Sequence, residues 1–310
     1  GDDLLVLDAL GELGYHGAVR EVLIDRGRRQ NALGAIRGAD TDVTATTLLA
    51  LERALLLAPD VAFADALSEV VADGTRWLLA HQELPYAAEA LHSAHRSLER
   101  IGATSAAGEL AAVLPALPTR NVPEPQTSND SDLLFEDRIG PRGVAVLATA
   151  QVCVAEATTS PALAWARLER VLDVAGPTWS WPTHAHPKLG TGTGGSGHDL
   201  RVTACVARTV RSLLVDDSRV DELRLCGHWP VAWLGQGVEV HGLPSAHGKV
   251  SWAVRWHGDR PALLWEVESG ADDLLVTAPG LDEGWRGRGS VGEALLGAIV
   301  REIREFRPYA

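Results

Sequence analysis

Apolar positions recur every three to four residues from the start of the chain to about residue 215, and every second residue after that. The first period is that of a helix face and the second that of a strand. The helical period predicts nine helices, over 3–12, 16–28, 43–58, 62–80, 86–100, 104–115, 142–157, 161–175 and 198–215. Leu48, Leu49, Leu51, Leu55 and Leu56 give the third of these a broad apolar face. Thr41 and Asp42 suit its N-cap, and Pro59 stops it. Prolines 118, 123 and 125 and the polar run at 127–132 predict a loop. After Asp216-Asp217, the segments 237–244, 251–257, 261–268 and 274–280 alternate as strands between Gly, Pro and Asp. The tail, 291–306, returns to a helical period.

Short and long connections alternate between the helices, as in stacked helical hairpins. The pattern predicts a mainly α fold: an (α/α) toroid over 1–216, then a small antiparallel β domain with a terminal helix over 217–310.

Composition narrows the function. The 310 residues hold 28 Lys and Arg against 41 Asp and Glu, a net charge of −13. That balance lacks the electrostatic footprint of a nucleic-acid or anionic-membrane protein. No apolar run approaches the roughly 18 residues of a membrane span. Gly1-Asp2-Asp3 is not a secretory signal, so the chain is expected to be cytoplasmic or already processed. Cys153, Cys205 and Cys226 have no metal-finger or CxxC spacing and are expected to be buried thiols. A homo-oligomer fits the Trp-rich β domain.

The segment 179–199, WSWPTHAHPKLGTGTGGSGHD, is the richest in chemistry. Trp179 and Trp181 offer faces on which a sugar ring stacks, and His184, His186 and Asp199 offer hydrogen bonds to its hydroxyls. The glycines permit close backbone approach to a ligand. His184, His186, His198 and Asp199 also hold zinc-type donors, but their spacing specifies no site, so no metal or cofactor is expected. GTGTGGSG lacks the Lys-Ser/Thr of a phosphate loop. Acidic residues precede other inner helices: Asp40 and Asp42, Glu83 with Tyr86, and Glu136 with Asp137. Two carboxylates facing one another across a mouth are the machinery of glycoside hydrolysis. Glu83 and Glu136 are therefore the candidate general acid and base, with Asp40, Asp42 and Tyr86 as substrate contacts.

The phrases GPTWSWPTHAHPKLGTGTGGSGHD at 176–199, VSWAVRWHGDRPALLWE at 250–266 and LLVTAPGLDEGW at 274–285 resemble actinobacterial proteins of the six-hairpin glycosidase superfamily. The segment 38–67 is similar to an inner–outer hairpin of the same group. The resemblance is to the glucoamylase-like branch, glycoside hydrolase family fifteen. It implies a six-hairpin toroid, carbohydrate at its mouth and inverting hydrolysis of an α-glucoside or a sugar-containing metabolite. Six hairpins need twelve helices against the nine expected here, so the ring is expected to be incomplete at its N-terminal part, to hold merged helices or to be completed by a partner chain. The chain departs where Thr183 follows Trp-Pro and where Ser196 stands in the Gly-rich loop, positions often acidic in such proteins. Those departures imply the alternative of a catalytically degenerate carbohydrate- or partner-binding module. A third alternative, a lyase or cyclase working on Asp40 and Asp42, rests on GADTDVTAT at 38–46, where Val43 replaces the second Asp of a terpene-cyclase motif.

Overall fold

The computed structural model describes residues 2–38, 42–84, 86–116, 143–186, 188–195 and 197–299. The candidates Asp40 and Glu136, the variant position Ser196, the proline-rich loop from 117 and the tail from 300 lie outside the described residues. The chain divides into two compact units, Gly1–Arg211 and Ser212–Ala310, against an expected boundary after residue 216.

The first unit is mostly helical: α1 (Asp2–Glu12), α2 (His16–Arg28), α3 (Val43–Leu57), α4 (Val61–Leu79), α5 (Ala87–Arg100), α6 (Thr104–Val113), α7 (Val146–Glu156), α8 (Pro161–Asp173) and the start of α9 (Leu200–Leu214). Helix α3 is apolar on nearly every side because α1, α2, α4 and α5 all pack on it. Its Leu48, Leu51 and Leu55 are buried. Asp60 caps α4 by accepting the Phe63 amide at 3.0 Å, and Pro161 opens α8 where a missing N–H costs nothing. Three short strands, β1 (Val144–Ala145), β2 (His184–Ala185) and β3 (Gly192–Gly194), tie the chain ahead of α7 to the long loop that precedes α9.

The second unit is a β-sandwich. Strands β4 (Val215–Asp216), β5 (Glu222–Leu225), β9 (Leu275–Ala278) and β10 (Asp282–Arg288) form one sheet in the order β10-β9-β5-β4, with β5 and β9 parallel. Strands β6 (Val238–Ser245), β7 (Gly248–His257), β8 (Arg260–Glu268) and β11 (Val291–Leu295) form an antiparallel sheet in the order β11-β8-β7-β6. Val250, Trp252 and Val254 of β7 alternate with Ser251, Ala253 and Arg255, so one face is apolar. That face shares a core with Leu223, Leu225 and Val276 of the other sheet.

Two expectations are corrected. The fold is not a mainly α toroid with a small antiparallel β domain but a mixed α/β fold. Three sheets of three, four and four strands accompany the nine described helices, and one of them contains a parallel pair. The helical unit buries its apolar faces in two clusters, one spanning α1 to α6 and the other α7 to α9, rather than around one ring. Periodicity reports which face of a helix is buried, not what it is buried against. The expected helix at 291–306 begins instead as β11, which pairs with β8 in unbroken register from Val291↔Glu266 to Leu295↔Ala262. Gly292 shows why: a Cβ there would lie 2.3 Å from Trp265 Cζ2, so the glycine passes beneath the indole. Tertiary pairing overrides local propensity at this segment.

Candidate functional site

Three helices of the first unit place charged residues on facing sides. Leu4 and Asp8 are one turn apart on α1, Leu49, Glu52 and Arg53 share a face of α3, and Glu89, His92 and Arg96 follow at i, i+3 and i+7 on α5. With Tyr86 they line a cleft of about 590 Å³, a volume suited to a small ligand. Tyr86 sits at the α5 N-cap in the left-handed region, φ 62°, a conformation that costs a non-glycine residue about 1 kcal/mol or more.

The carboxyl groups of the cleft are tuned in opposite directions. Asp8 has 14% side-chain exposure, and burial raises its pKa to about 6. The nearby charge of Arg208, at 3.3 Å, pulls it down, and Glu12 pushes it up. Burial also raises Glu89, which is half-buried. At Glu52 burial is outweighed by hydrogen bonds and charge, and the carboxyl lies below its ordinary value. Ser93 Oγ donates to Glu52 Oε2 at 2.6 Å, Arg96 Nη2 donates to the same oxygen at 2.8 Å, and Arg96 Nε donates to Oε1. Behind the cleft, Glu12 is 4% exposed and accepts from Arg53 Nη2 at 3.3 Å and from Arg208 Nε at 3.3 Å. The cleft thus offers a protonatable acid, an ionised carboxylate and an aromatic wall. Among the described residues, no group of three or more His, Cys, Asp or Glu could hold a metal ion.

Of the described residues singled out from sequence, Tyr86 alone lines this cleft. Glu83 is exposed in the turn that follows α4. Asp42 is buried ahead of α3, makes no side-chain cap bond, and its charge supports the buried Arg26. Trp181 is 3% exposed in the α7–α9 cluster, and its Nε1 donates to Val171 O at 2.8 Å. Trp179 is 69% exposed at φ 53° and meets Trp181 edge-on at 6.5 Å. Asp199 caps α9: the Arg201 amide donates to Oδ1 at 3.0 Å, the Arg201 guanidinium engages both oxygens, and Thr183 Oγ1 donates at 2.7 Å. The Arg201 hydrogen bond, together with that from Thr183, brings the Asp199 carboxyl down to about 2 against the opposing effect of burial. His184 lies in β2 paired with Gly194, and His186 Nδ1 accepts the amides of Lys188 and Leu189. The loop's glycines approach its own chain closely. A Cβ on Gly195, at φ +74°, would lie 2.1 Å from Thr183 Oγ1.

The residues that the sequence reading missed had a signal. Glu52 and Arg53 are the only charges in α3, and Asp8 and Glu12 interrupt the apolar run of α1 one turn apart. A charge inside a nearly all-apolar helix is expensive to bury and marks a paired or functional group. Burial also raises the thiols of Cys153 and Cys205 to about 12, which leaves them unreactive. Among the described residues, no helix is long and apolar enough to cross a membrane. No family model, curated protein or solved structure matches the chain.

Proposed function

We propose that the helical unit binds a polyhydroxylated, sugar-like small molecule in the cleft between α1, α3 and α5 and acts on it by carboxylate acid–base chemistry. Cleavage of an α-glucosidic bond is the reaction that the sequence resemblance implies. The observation that carries this reading is the pair of carboxyls lining one cleft, Asp8 protonatable near neutrality and Glu52 held ionised. Environments that drive two carboxyls apart assign one as acid and the other as base.

In this reaction Asp8 gives its proton to the glycosidic oxygen as the bond from that oxygen to the anomeric carbon breaks. A water attacks the anomeric carbon from the other face and loses its proton to Glu52. The hydrogen bonds from Ser93 and Arg96 leave Glu52 one lone pair, on Oε1, for that water. The Tyr86 ring supplies the stacking wall. Three buried, unpaired thiols suit a reducing cytoplasm.

The test is a panel of α- and β-linked gluco-oligosaccharides followed by anomer-resolved NMR. β-Glucose released first from an α-linked substrate is expected, and Asp8→Asn should lower turnover by about 10²- to 10⁴-fold. An untouched panel removes hydrolysis. The ion pairs that tie Asp8 and Glu12 to Arg208 favour a second reading, a sugar-binding module without turnover. Calorimetric binding of an oligosaccharide that survives intact selects it.

A further inference from the structure

Among its described residues the second unit has four sheet edges, and three are blunted. β4 is two residues long. β6 carries a register shift between Val240 and Leu243 and ends in Pro244-Ser245. β10 carries a register shift between Asp282 and Arg286 and bears Arg286 and Arg288. Bulges, charges and shortness are how sheets avoid adding strands. β11 has none of these protections except one charge, Glu293, and its five residues pair with β8 without a break.

The pairing fixes which groups face outward. Ser290 O accepts from Val267 N at 2.7 Å and Leu296 N donates to Pro261 O at 2.9 Å. Alternation in an antiparallel ladder then turns residues 290, 292, 294 and 296 toward β8 and leaves the N–H and C=O groups of Val291, Glu293 and Leu295 pointing to the open edge. The side chains of these three residues share the outer face of the sheet, where Val291 is 67% and Leu295 49% exposed.

That face bears a shallow groove of about 540 Å³, floored by Ser251 and Ala253 and bordered by Leu264, Glu266, Val291 and Glu293. Its other carboxylates have cations. Glu239 holds Arg255 and His241, and Glu268 holds Lys249 at 3.4 Å. Glu266 and Glu293 sit diagonally on neighbouring strands, and among the described residues neither carboxylate has an ion pair or a side-chain hydrogen bond. Like charges placed so are mutually unfavourable until a cation joins them.

We propose that β11 is a docking edge for an extended segment of another protein, added as a fifth antiparallel strand with the pattern apolar–x–Lys/Arg–x–apolar. The partner's backbone takes the free groups of Val291, Glu293 and Leu295. Its cation stands opposite Glu293 with Glu266 one strand further in, and its apolar residues cover Val291 and Leu295. Backbone bonds supply affinity, and alternate side chains supply selectivity.

The probe is a blocked peptide, Thr-Val-Thr-Arg-Thr-Val-Thr, titrated into the full chain at 0.15 M salt (about physiological), with amide NMR shifts and hydrogen exchange as readout. Binding should slow exchange at Val291, Glu293 and Leu295. Replacing the peptide's Arg by Glu should weaken it by about fivefold or more. Glu293→Lys should reverse that preference. Glu293→Pro, which removes only an outward N–H, should weaken both peptides while the circular dichroism spectrum stays unchanged. No binding, protection elsewhere, or a charge preference that survives Glu293→Lys overturns the proposal. Glu239→Gln, which alters the same face away from the edge, controls for the general attraction of cations to a chain of net charge −13.

Discussion

Replacing Asp8 by asparagine should make the helical unit more stable at pH 8 while removing its proton donor. The sign follows from the direction of the shift. Asp8 titrates at 3.8 when free and at about 6 in the fold, so the unfolded chain ionises first. Below about pH 4 both states hold the proton and the residue is neutral for stability. Above about pH 6 both are ionised, and the folded state bears the full penalty, about 3 kcal/mol at 1.36 per tenfold shift. Discounted for a side chain that keeps 14% of its exposure, about 2 kcal/mol remains. Asparagine has the same shape and cannot ionise, so that penalty vanishes. Arg208 is not abandoned, because Glu12 still accepts from its Nε at 3.3 Å and Nη2 at 3.4 Å. Urea unfolding followed by helical circular dichroism from pH 4 to pH 8 reads the difference. The two proteins should coincide near pH 4 and separate by about 2 kcal/mol at pH 8, with the variant the more stable. In a unit of this size that is a midpoint rise of about 4–8 °C. A variant less stable than the parent at every pH would show Asp8 to be an ionised anchor for Arg208, and the reasoning that makes it a poised acid would fail. A substitution that stabilises while abolishing turnover is the mark of a group kept for function.

Asp199→Asn should behave oppositely. Its folded carboxyl lies at about 2, so the stability it contributes is present above about pH 4 and lost as pH falls through about 2. Thermal melts of parent and variant should differ by about 1–2 kcal/mol at pH 7 and converge at the acid end. Trp181→Ala should cost about 3–5 kcal/mol in chemical unfolding, since the ring is buried and its N–H is bonded. Trp179→Ala, at a ring 69% exposed, should stay within about 0.5 kcal/mol in the same unfolding assay. Gly292→Ala should destabilise the sandwich by about 1–3 kcal/mol, read as an earlier loss of the near-ultraviolet tryptophan signal, because Trp265 must move.

The helices were legible because burial of one face writes a period of 3.6 into a sequence, and all nine expected segments are helical among the described residues. The strands of β7 and β8 were legible for the same reason at period two. The alternation of Trp252 and Val254 with Ser251 and Arg255 matches the burial of the first two and the greater exposure of the others. It did not decide what each buried face meets. The two clusters of the helical unit, the two-residue strands at 144–145 and 184–185, and the parallel pair of β5 and β9 all join positions far apart in sequence. No local period encodes such contacts. The tail is the sharpest case: 291–295 can satisfy a helical period, and it is a strand because β8 offers a ladder and Trp265 leaves room only for glycine.

The candidate site divides in the same way. Residue types that attract attention, the tryptophans and histidines of 179–199, were visible in the sequence, but the structure spends Trp181 on the core and Asp199 on a helix cap. The cleft draws on Asp8, Glu52, Glu89 and Arg96, which stand on helices with up to three others between them in sequence. Their protonation is a property of the assembled site. An isolated Asp and Glu titrate alike, and only burial at Asp8 and the Ser93 and Arg96 donors at Glu52 drive them apart. Sequence determines which groups a chain can offer, whereas only the tertiary fold sets the distances and the solvent exclusion on which their charge depends.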